Sequence, residues 1–148
     1  MAKKLLIGID PGVKTGVAIW SPSDMSFVDI FTSSLIVAYE QLKTYATSHE
    51  MYLRIEDPNK RKWYGKNAHA KQQGAGSVKR DAKAWKEICE ENLWHYEMIH
   101  PIKGATKINE LTFRHMTGFT KRTSEHARDA AMLVINISSS RMLRMQWQ

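Results

Sequence analysis

The sequence contains one cysteine, Cys89, and no long apolar run. A single thiol excludes a disulfide within the chain and a cysteine-rich zinc site. The apolar stretches fall short of the roughly 18 residues that a membrane-spanning helix needs. Lys3 and Lys4 are followed by only three apolar residues before Gly8, which is too few for a secretory signal. We therefore expect a soluble, intracellular protein.

Acidic residues are also scarce: 15 Asp and Glu stand against 22 Lys and Arg, which gives a formal net charge of +7. Such a basic excess in a small domain favours a polyanionic partner such as nucleic acid, although solubility alone can account for it. With 148 residues and 43% apolar composition, the chain has the size and core content of one folded domain. No internal repeat or linker divides it, so we expect a single domain over residues 1–148.

The spacing of apolar residues predicts an α/β domain with elements in the order β-β-β-α-β-α-β-α-α. The strands are predicted at residues 4–9, 13–20, 25–31, 51–57 and 94–99. The helices are predicted at residues 33–46, 77–92, 106–116 and 124–137. Tight turns make the first three strands antiparallel, and a crossover helix returns the fourth strand parallel to the first. We expect a five-stranded mixed sheet flanked by helices, a loop at 57–76 and a loose C-terminal tail at 138–148.

Acidic side chains end two of the predicted strands. Asp10 closes the first strand and Glu56 the fourth, and Asp57 is the alternative to Glu56 because strand alternation aims only one of them into a site. At the carboxyl ends of parallel neighbours, both acids emerge at the edge where α/β sheets bind ligands. On the last helix, His126 and Asp129 lie three positions apart and share a face. The small alanines beside them let this helix lie close to the sheet.

Asp10, Glu56, His126 and Asp129 can thus converge from three elements of the fold. Three carboxylates and an imidazole repel or desolvate one another unless a cation lies among them. Their donors suit Mg²⁺ or Mn²⁺, and two ions about 3.5–4 Å apart would clamp the attacking and leaving oxygens of a phosphodiester. Two plainer interpretations stay open: Asp10 could serve only the Asp-Pro-Gly turn, and His126 could cap a helix or pack in the core. Taken together, the four residues favour a metal-dependent nuclease with two ions per active site.

Five segments resemble a known family. "IGIDPGVKTGVAI", "RIED", "QQGAGSVKRD", "IKGATKINEL" and "HARDAAMLV" occur in this order and are similar to the RuvC-type Holliday-junction resolvases, which are ribonuclease-H-like nucleases. The resemblance covers most of the chain, about residues 5–134. It implies a ribonuclease-H-like fold, a homodimer, and paired symmetric nicks in four-way DNA junctions. It also implies catalytic roles for Asp10, Glu56, His126 and Asp129.

The same resemblance implies that Lys107, which follows Gly104, contacts the scissile phosphate. Family members insert an aromatic side chain into the junction from the segment just after the glutamate; here Trp63 and Tyr64 follow Glu56 by several residues and are flanked by cations. Such a segment suits base stacking, and covering the core is the alternative. Exposed cations elsewhere are candidates for phosphate contacts. The candidate DNA-binding residues are Lys14, Lys60, Arg61, Lys62, Trp63, Tyr64, Lys66, Lys71, Lys79, Arg80, Lys107, Lys121 and Arg122.

Other functions compete with junction resolution. The opening segment also resembles the phosphate-binding hairpin of actin-like and sugar-kinase ATPases, but those proteins need two such domains and a second phosphate loop. The chain has neither, so we expect no nucleotide cofactor, and we expect no membrane partner. A related nuclease acting on flaps, forks or RNA–DNA hybrids would have the same site. A non-catalytic junction-binding module would be expected to lack one of the acids, and none is missing.

Overall fold

The structure is a computed structural model that describes residues 2–58, 68–101 and 107–148, with the backbone alone at 68–75. Its strands are β1 (Lys3–Asp10), β2 (Thr15–Ser21), β3 (Ser26–Ser33), β4 (His49–Glu56) and β5 (His95–Ile99). Its helices are α1 (Leu35–Ala46), α2 (Ala68–Asn92), α3 (Glu110–Thr117), α4 (Glu125–Met132) and α5 (Ser139–Leu143).

The five strands form one mixed sheet in the order β3-β2-β1-β4-β5. β2 pairs antiparallel with both β1 and β3, whereas β4 lies parallel to β1 and β5 lies parallel to β4. The short connection at residues 11–14 allows only an antiparallel return, while α1 supplies the crossover that a parallel return requires. The predicted α/β class, with a five-stranded mixed open sheet flanked by helices, is confirmed.

Alternation along β1 divides the core between the two faces of the sheet. Ile7 and Ile9 belong to a buried cluster beneath α1 and α2. Leu6 lies in a second cluster on the opposite face, with Phe113 of α3 and three alanines of α4. Because both faces of this central strand are covered, its middle is apolar and its carboxylate, Asp10, stands only at the end.

The second helix is longer than the sequence predicts. The expected loop at 57–76 gives way to α2 at Ala68, instead of at residue 77, and residues 59–67 lie outside the described residues. Alanine, lysine and glutamine in this segment favour a helix. The segment lacks the periodic apolar residues from which the other helices were predicted, so its helix was not predicted. Although α2 has 25 residues, it is polar, and no helix in the described ranges combines the length and apolarity needed to cross a membrane.

The third and fourth helices are shorter than predicted because local backbone features set their ends. Asn109 precedes α3, and its Oδ1 accepts a hydrogen bond from Thr112 N at 2.8 Å, so the helix begins at Glu110 instead of at residue 106. α4 ends at Met132, and the chain then turns through Asn136, whose φ is 64°. The apolar residues in this turn still pack beneath the sheet, which is why their spacing predicted a longer helix.

The C-terminal residues are folded, contrary to the loose tail predicted for 138–148. Met142 of α5 is 1% exposed and lies in the cluster beneath α4. Trp147 Nε1 donates a hydrogen bond to the Met142 carbonyl at 3.0 Å. Gln148 then pairs with Tyr96 of β5 through two backbone hydrogen bonds of 2.8 and 3.1 Å. The apolar spacing of this segment is irregular, so the sequence showed no stripe although Met142 and Trp147 both reach the core.

We expect Met142→Ala to lower the free energy of unfolding by about 2–3 kcal/mol, because truncation of this buried side chain leaves a cavity. Leu143→Ala is the matched control, since Leu143 is 65% exposed, and its effect should stay within about 0.5 kcal/mol. Urea denaturation followed by tryptophan fluorescence measures both changes. Equal effects of the two substitutions would contradict the packing of α5 in the core.

Candidate functional site

Two carboxylates end neighbouring parallel strands at the same edge of the sheet. Ile9 of β1 is in register with Ile55 of β4, so Asp10 and Glu56 follow at the next position of each strand. The two acids are near enough for the charge of Glu56 to raise the pKa of Asp10. Asp57 instead follows the strand, and its backbone N–H donates to Ile99 O at 2.8 Å. The geometry therefore favours Glu56 over Asp57 as the partner of Asp10.

The helix α4 lies directly on β1 and β2 because glycines face it. A Cβ atom built at Gly8 would lie 2.0 Å from Ala130 O, and one built at Gly16 would lie 2.0 Å from His126 O. Real Cβ atoms essentially never approach a backbone oxygen so closely. Glycine is therefore needed at these two positions for the close approach of α4. It is not needed for a left-handed backbone, because the glycine with a positive φ among the described residues is Gly118.

This contact brings His126 to Asp10. His126 Nδ1 lies 3.1 Å from Asp10 Oδ2, within hydrogen-bond distance, across 116 positions of sequence. The Asp10 side chain is 15% exposed, whereas that of His126 is 51% exposed. Ser124 caps the helix just before, with its Oγ accepting from Ala127 N at 3.1 Å, which fixes the first turn that carries the imidazole.

The environment of Asp10 disfavours its charged form. Burial is the largest influence and raises the pKa of Asp10 to about 6; the hydrogen bond from His126 opposes this change. The negative charges of Glu56 and Asp129 raise the pKa further. Burial likewise raises the pKa of Asp129, against the nearby charge of Lys107. Burial, with a smaller contribution from neighbouring negative charge, therefore disfavours the ionised form of both acids when no cation is bound.

Lys107 is the cation at this site. Its Nζ contacts Glu125 and lies 3.9 Å from Asp129 Oδ2. The hydrogen bond to Glu125 is the first cause of the raised pKa of Lys107, and the charges of Asp129, Glu125 and Asp10 act in the same direction. The predicted lysine thus lies beside the predicted acids, in a contact with Glu125 that the sequence analysis missed.

A second missed residue, Arg128, joins the lysine segment to α4. Arg128 Nε donates to Ile108 O at 2.8 Å, next to Lys107, and its NH1 donates to Thr123 O at 2.5 Å. Sequence spacing could have found Glu125, which is one helical turn before Asp129 and on the same face. Arg128 had no such signal, because two of its acceptors are backbone carbonyls and the third is the Thr123 hydroxyl at 3.2 Å, which has no characteristic spacing.

The donor atoms of the site suit a divalent cation, although the side chains are not arranged as a complete set of metal ligands. Within the described residues, no three histidine, cysteine or acidic side chains stand close enough together to hold a metal ion. Asp10 Oδ2 faces His126, and Asp129 Oδ2 faces Lys107. Carboxylate oxygens and one imidazole are nevertheless ligands that Mg²⁺ and Mn²⁺ accept, and the buried Asp10 carries charge that a cation would relieve.

The candidate DNA-binding residues fall into three groups. Lys60, Arg61, Lys62, Trp63, Tyr64 and Lys66 lie outside the described residues, and Lys71 is described by its backbone alone. Lys79 and Arg80 are on α2, which packs on the face of the sheet opposite α4. The others are exposed near the acids in sequence or in space: Lys14 in the turn after Asp10, Lys107 beside Asp129, and Lys121 and Arg122 just before α4.

Lys121 is also held by an acid, because its Nζ lies 3.6 Å from Asp29 Oδ1 of β3. The structure thus places Lys107 beside the acids, Lys14 in the turn that follows Asp10 and Lys121 against the edge strand β3, whereas Lys79 and Arg80 lie on α2. Comparisons of the chain with protein-family models, curated proteins and solved structures each found no match.

Proposed function

We propose that this protein is a metal-dependent, structure-selective DNA endonuclease with a ribonuclease-H-like fold that resolves four-way junctions. The observation that carries the proposal is the buried carboxylate of Asp10 at the end of the central strand. His126 contacts it at 3.1 Å, and the charges of Glu56 and Asp129 act on it from β4 and α4. Burying so much like charge is costly unless a cation relieves it.

The order of elements supports the ribonuclease-H-like assignment. The chain runs β-β-β-α-β-α-β-α-α before the short α5, which is the order predicted from the spacing of apolar residues, and its mixed sheet is compatible with the ribonuclease-H-like fold that the resemblance to the RuvC-type resolvases implies. The segments that carry the resemblance also supply the site: "IGIDPGVKTGVAI" contains Asp10, "RIED" contains Glu56, and "HARDAAMLV" contains His126 and Asp129.

The residues divide the proposed chemistry among them. Divalent cations, when bound, would stabilise the charge that develops on the attacking and leaving oxygens of a phosphodiester. Asp10, Glu56 and Asp129 offer the oxygen ligands. His126 binds Asp10 through Nδ1, which leaves Nε2 for a ligand or proton-transfer role. Lys107 presents an ammonium group that can pair with a phosphate oxygen.

The charge of the chain supports a DNA substrate. The net charge is +7, yet the candidate site is acidic, and exposed cations near it include Lys14 in the turn after Asp10 and Lys107 beside Asp129. These cations would attract the phosphates of a duplex arm, while the acidic centre would bind divalent cations. Paired nicks require two sites, and the described part of the chain carries one candidate site, so we propose that a homodimer acts on each junction.

Cleavage of a matched set of DNAs tests this function. The set contains a mobile four-way junction, a fork, a flap, a linear duplex and an RNA–DNA hybrid, each labelled and incubated with Mg²⁺, Mn²⁺ or chelator. We expect paired symmetric nicks confined to the junction, with 5′-phosphate and 3′-hydroxyl ends, and no cleavage in chelator.

The other outcomes separate the alternatives. Equal cleavage of forks and flaps would replace junction resolution by general cleavage of branched DNA, and preference for the hybrid would replace it by ribonuclease activity. Tight junction binding without cleavage in either metal would contradict the catalytic proposal and favour a binding module.

A further inference from the structure

Lys107 contacts two acids, and only one of them takes part in the proposed chemistry. Asp129, at 3.9 Å, is a proposed metal ligand, whereas Glu125 has no part in the proposed chemistry and yet contacts the same ammonium group. Glu125 and Asp129 are one turn apart on α4, so their carboxylates lie on one side of the helix. The ammonium group of Lys107 can therefore pair with either of two neighbouring carboxylates.

Pairing of Lys107 with Asp129 opposes the binding of a metal ion by Asp129. An ammonium group beside a carboxylate weakens the attraction of that carboxylate for a divalent cation, because the two positive charges repel at short range. The Lys107 side chain is 69% exposed, so it has room to move. Its backbone is anchored, since Arg128 holds the carbonyl of the next residue, Ile108, at 2.8 Å. Movement is thus limited to the side chain, within reach of Glu125.

We infer that Lys107 is a resident counter-ion for Asp129 in the metal-free protein, and that Glu125 is the positioning residue that retains Lys107 when a divalent cation takes its place. This inference rests on the proposed function, because it assumes that Asp129 binds the cation. The inference gives Glu125 a role. Among the described residues near Lys107, the other carboxylates belong to the proposed metal ligands, so without Glu125 the displaced ammonium group would have no other acid to pair with. Glu125 keeps the lysine close enough to meet a phosphate and prevents it from competing for Asp129.

Mn²⁺ binding by a double-mutant cycle tests the inference without measuring catalysis. Free Mn²⁺ is followed by electron paramagnetic resonance in titrations of the wild type, Lys107→Gln, Glu125→Gln and the double variant. We expect Lys107→Gln to tighten binding by about three- to tenfold and Glu125→Gln to weaken it by a similar factor. The double variant should bind as Lys107→Gln does, because Glu125 acts only through the lysine.

A second ion pair of the chain supplies the control. Lys43 and Glu40 form a 2.8 Å pair on α1, which packs on the opposite face of the sheet from α4. Lys43→Gln and Glu40→Gln make the same changes in charge, and each should alter the Mn²⁺ affinity by less than about twofold. Circular dichroism of all variants confirms that the fold is retained.

Three results would overturn the inference. Unchanged or weaker Mn²⁺ binding by Lys107→Gln would show that the lysine is not a competing counter-ion. An equal loss of affinity from Glu125→Gln with and without Lys107 would show that Glu125 acts on the cation by its own charge. A wild-type protein that binds no Mn²⁺ would overturn the proposed metal-dependent function itself, and so is distinct from the first two results.

Discussion

Replacement of Asp10 by asparagine is expected to abolish junction cleavage while leaving junction binding intact. Asparagine keeps the size of the side chain but removes the charge that would hold a divalent cation at the end of β1. The loss of several kcal/mol of charge stabilisation corresponds to roughly a thousandfold or more in rate. Single-turnover cleavage in Mg²⁺ measures the rate, and gel-shift titration in chelator measures the affinity.

The same variant should stabilise the fold at neutral pH without divalent cations. The pKa of Asp10 rises from 3.8 to about 6 on folding, chiefly through burial. A carboxyl group with a raised pKa in the folded state costs stability once it ionises. That cost is absent below pH 3.8, grows between pH 3.8 and about 6, and is complete above about 6. We therefore expect Asp10→Asn to exceed the wild type by roughly 1–3 kcal/mol at pH 8, and to match it near pH 3.5.

Asp57→Asn provides the control for both measurements. Asp57 is the neighbouring acid after β4, and the pairing of its backbone with Ile99 does not depend on the side-chain charge. Its substitution should leave cleavage within a few fold of the wild type and produce no gain in stability at pH 8. Cleavage that persists in Asp10→Asn would sink the site assignment, and an unchanged free energy of unfolding would contradict the cost of ionising the largely buried Asp10 carboxyl group.

Gly16→Ala is the second substitution with a large expected effect, although it removes no chemical group. The new methyl group would lie 2.0 Å from His126 O, so α4 must shift or the strand must bend. We expect a loss of about 2–4 kcal/mol in the free energy of unfolding, as for other overpacked cores. Cleavage should fall by roughly a hundredfold even where the protein is folded, because displacement of His126 and Asp129 by about 1 Å spoils their alignment with Asp10.

Two further glycines make this test specific. Gly8→Ala meets Ala130 O at the same 2.0 Å and should reproduce both losses. Gly76→Ala places a methyl group in open space on α2, where alanine should stabilise the helix by about 0.5–1 kcal/mol and leave cleavage unchanged. Thermal unfolding and single-turnover cleavage of the three variants suffice. Wild-type activity and stability in Gly16→Ala would show that α4 does not depend on this close approach.

Much of the fold could be predicted because local patterns and the tertiary structure agree. The run from Leu5 to Ile9 had to be buried, the Asp-Pro-Gly turn had to reverse the chain, and a helix before β4 made it return parallel to β1. The predictions were wrong where the sequence has no regular spacing of apolar residues. α2 begins in a polar segment, and the C-terminal residues pack through Met142 of α5 and through Trp147 beyond it, whose spacing resembles no regular element.

The sequence identified candidate residues for the site, but not the contacts that their side chains make. Strand ends and helix spacing identified Asp10, Glu56, His126 and Asp129. Neither feature indicates that Asp10 pairs with His126 or that Lys107 lies against Glu125, because these contacts depend on side-chain directions across elements. Arg128 was beyond the reach of pattern analysis, since it recognises carbonyl groups that every residue possesses.

The long separation between the partners of the site has a consequence for biosynthesis. His126 meets Asp10 only after 116 further residues have been added, and α4 docks on the two strands made first. Contacts so distant in sequence form late and slowly, because loop closure must precede them. A growing chain on the ribosome can pair β1 with β2 and yet carry no assembled site, so under the proposed function a nascent chain would not cleave DNA before α4 has docked.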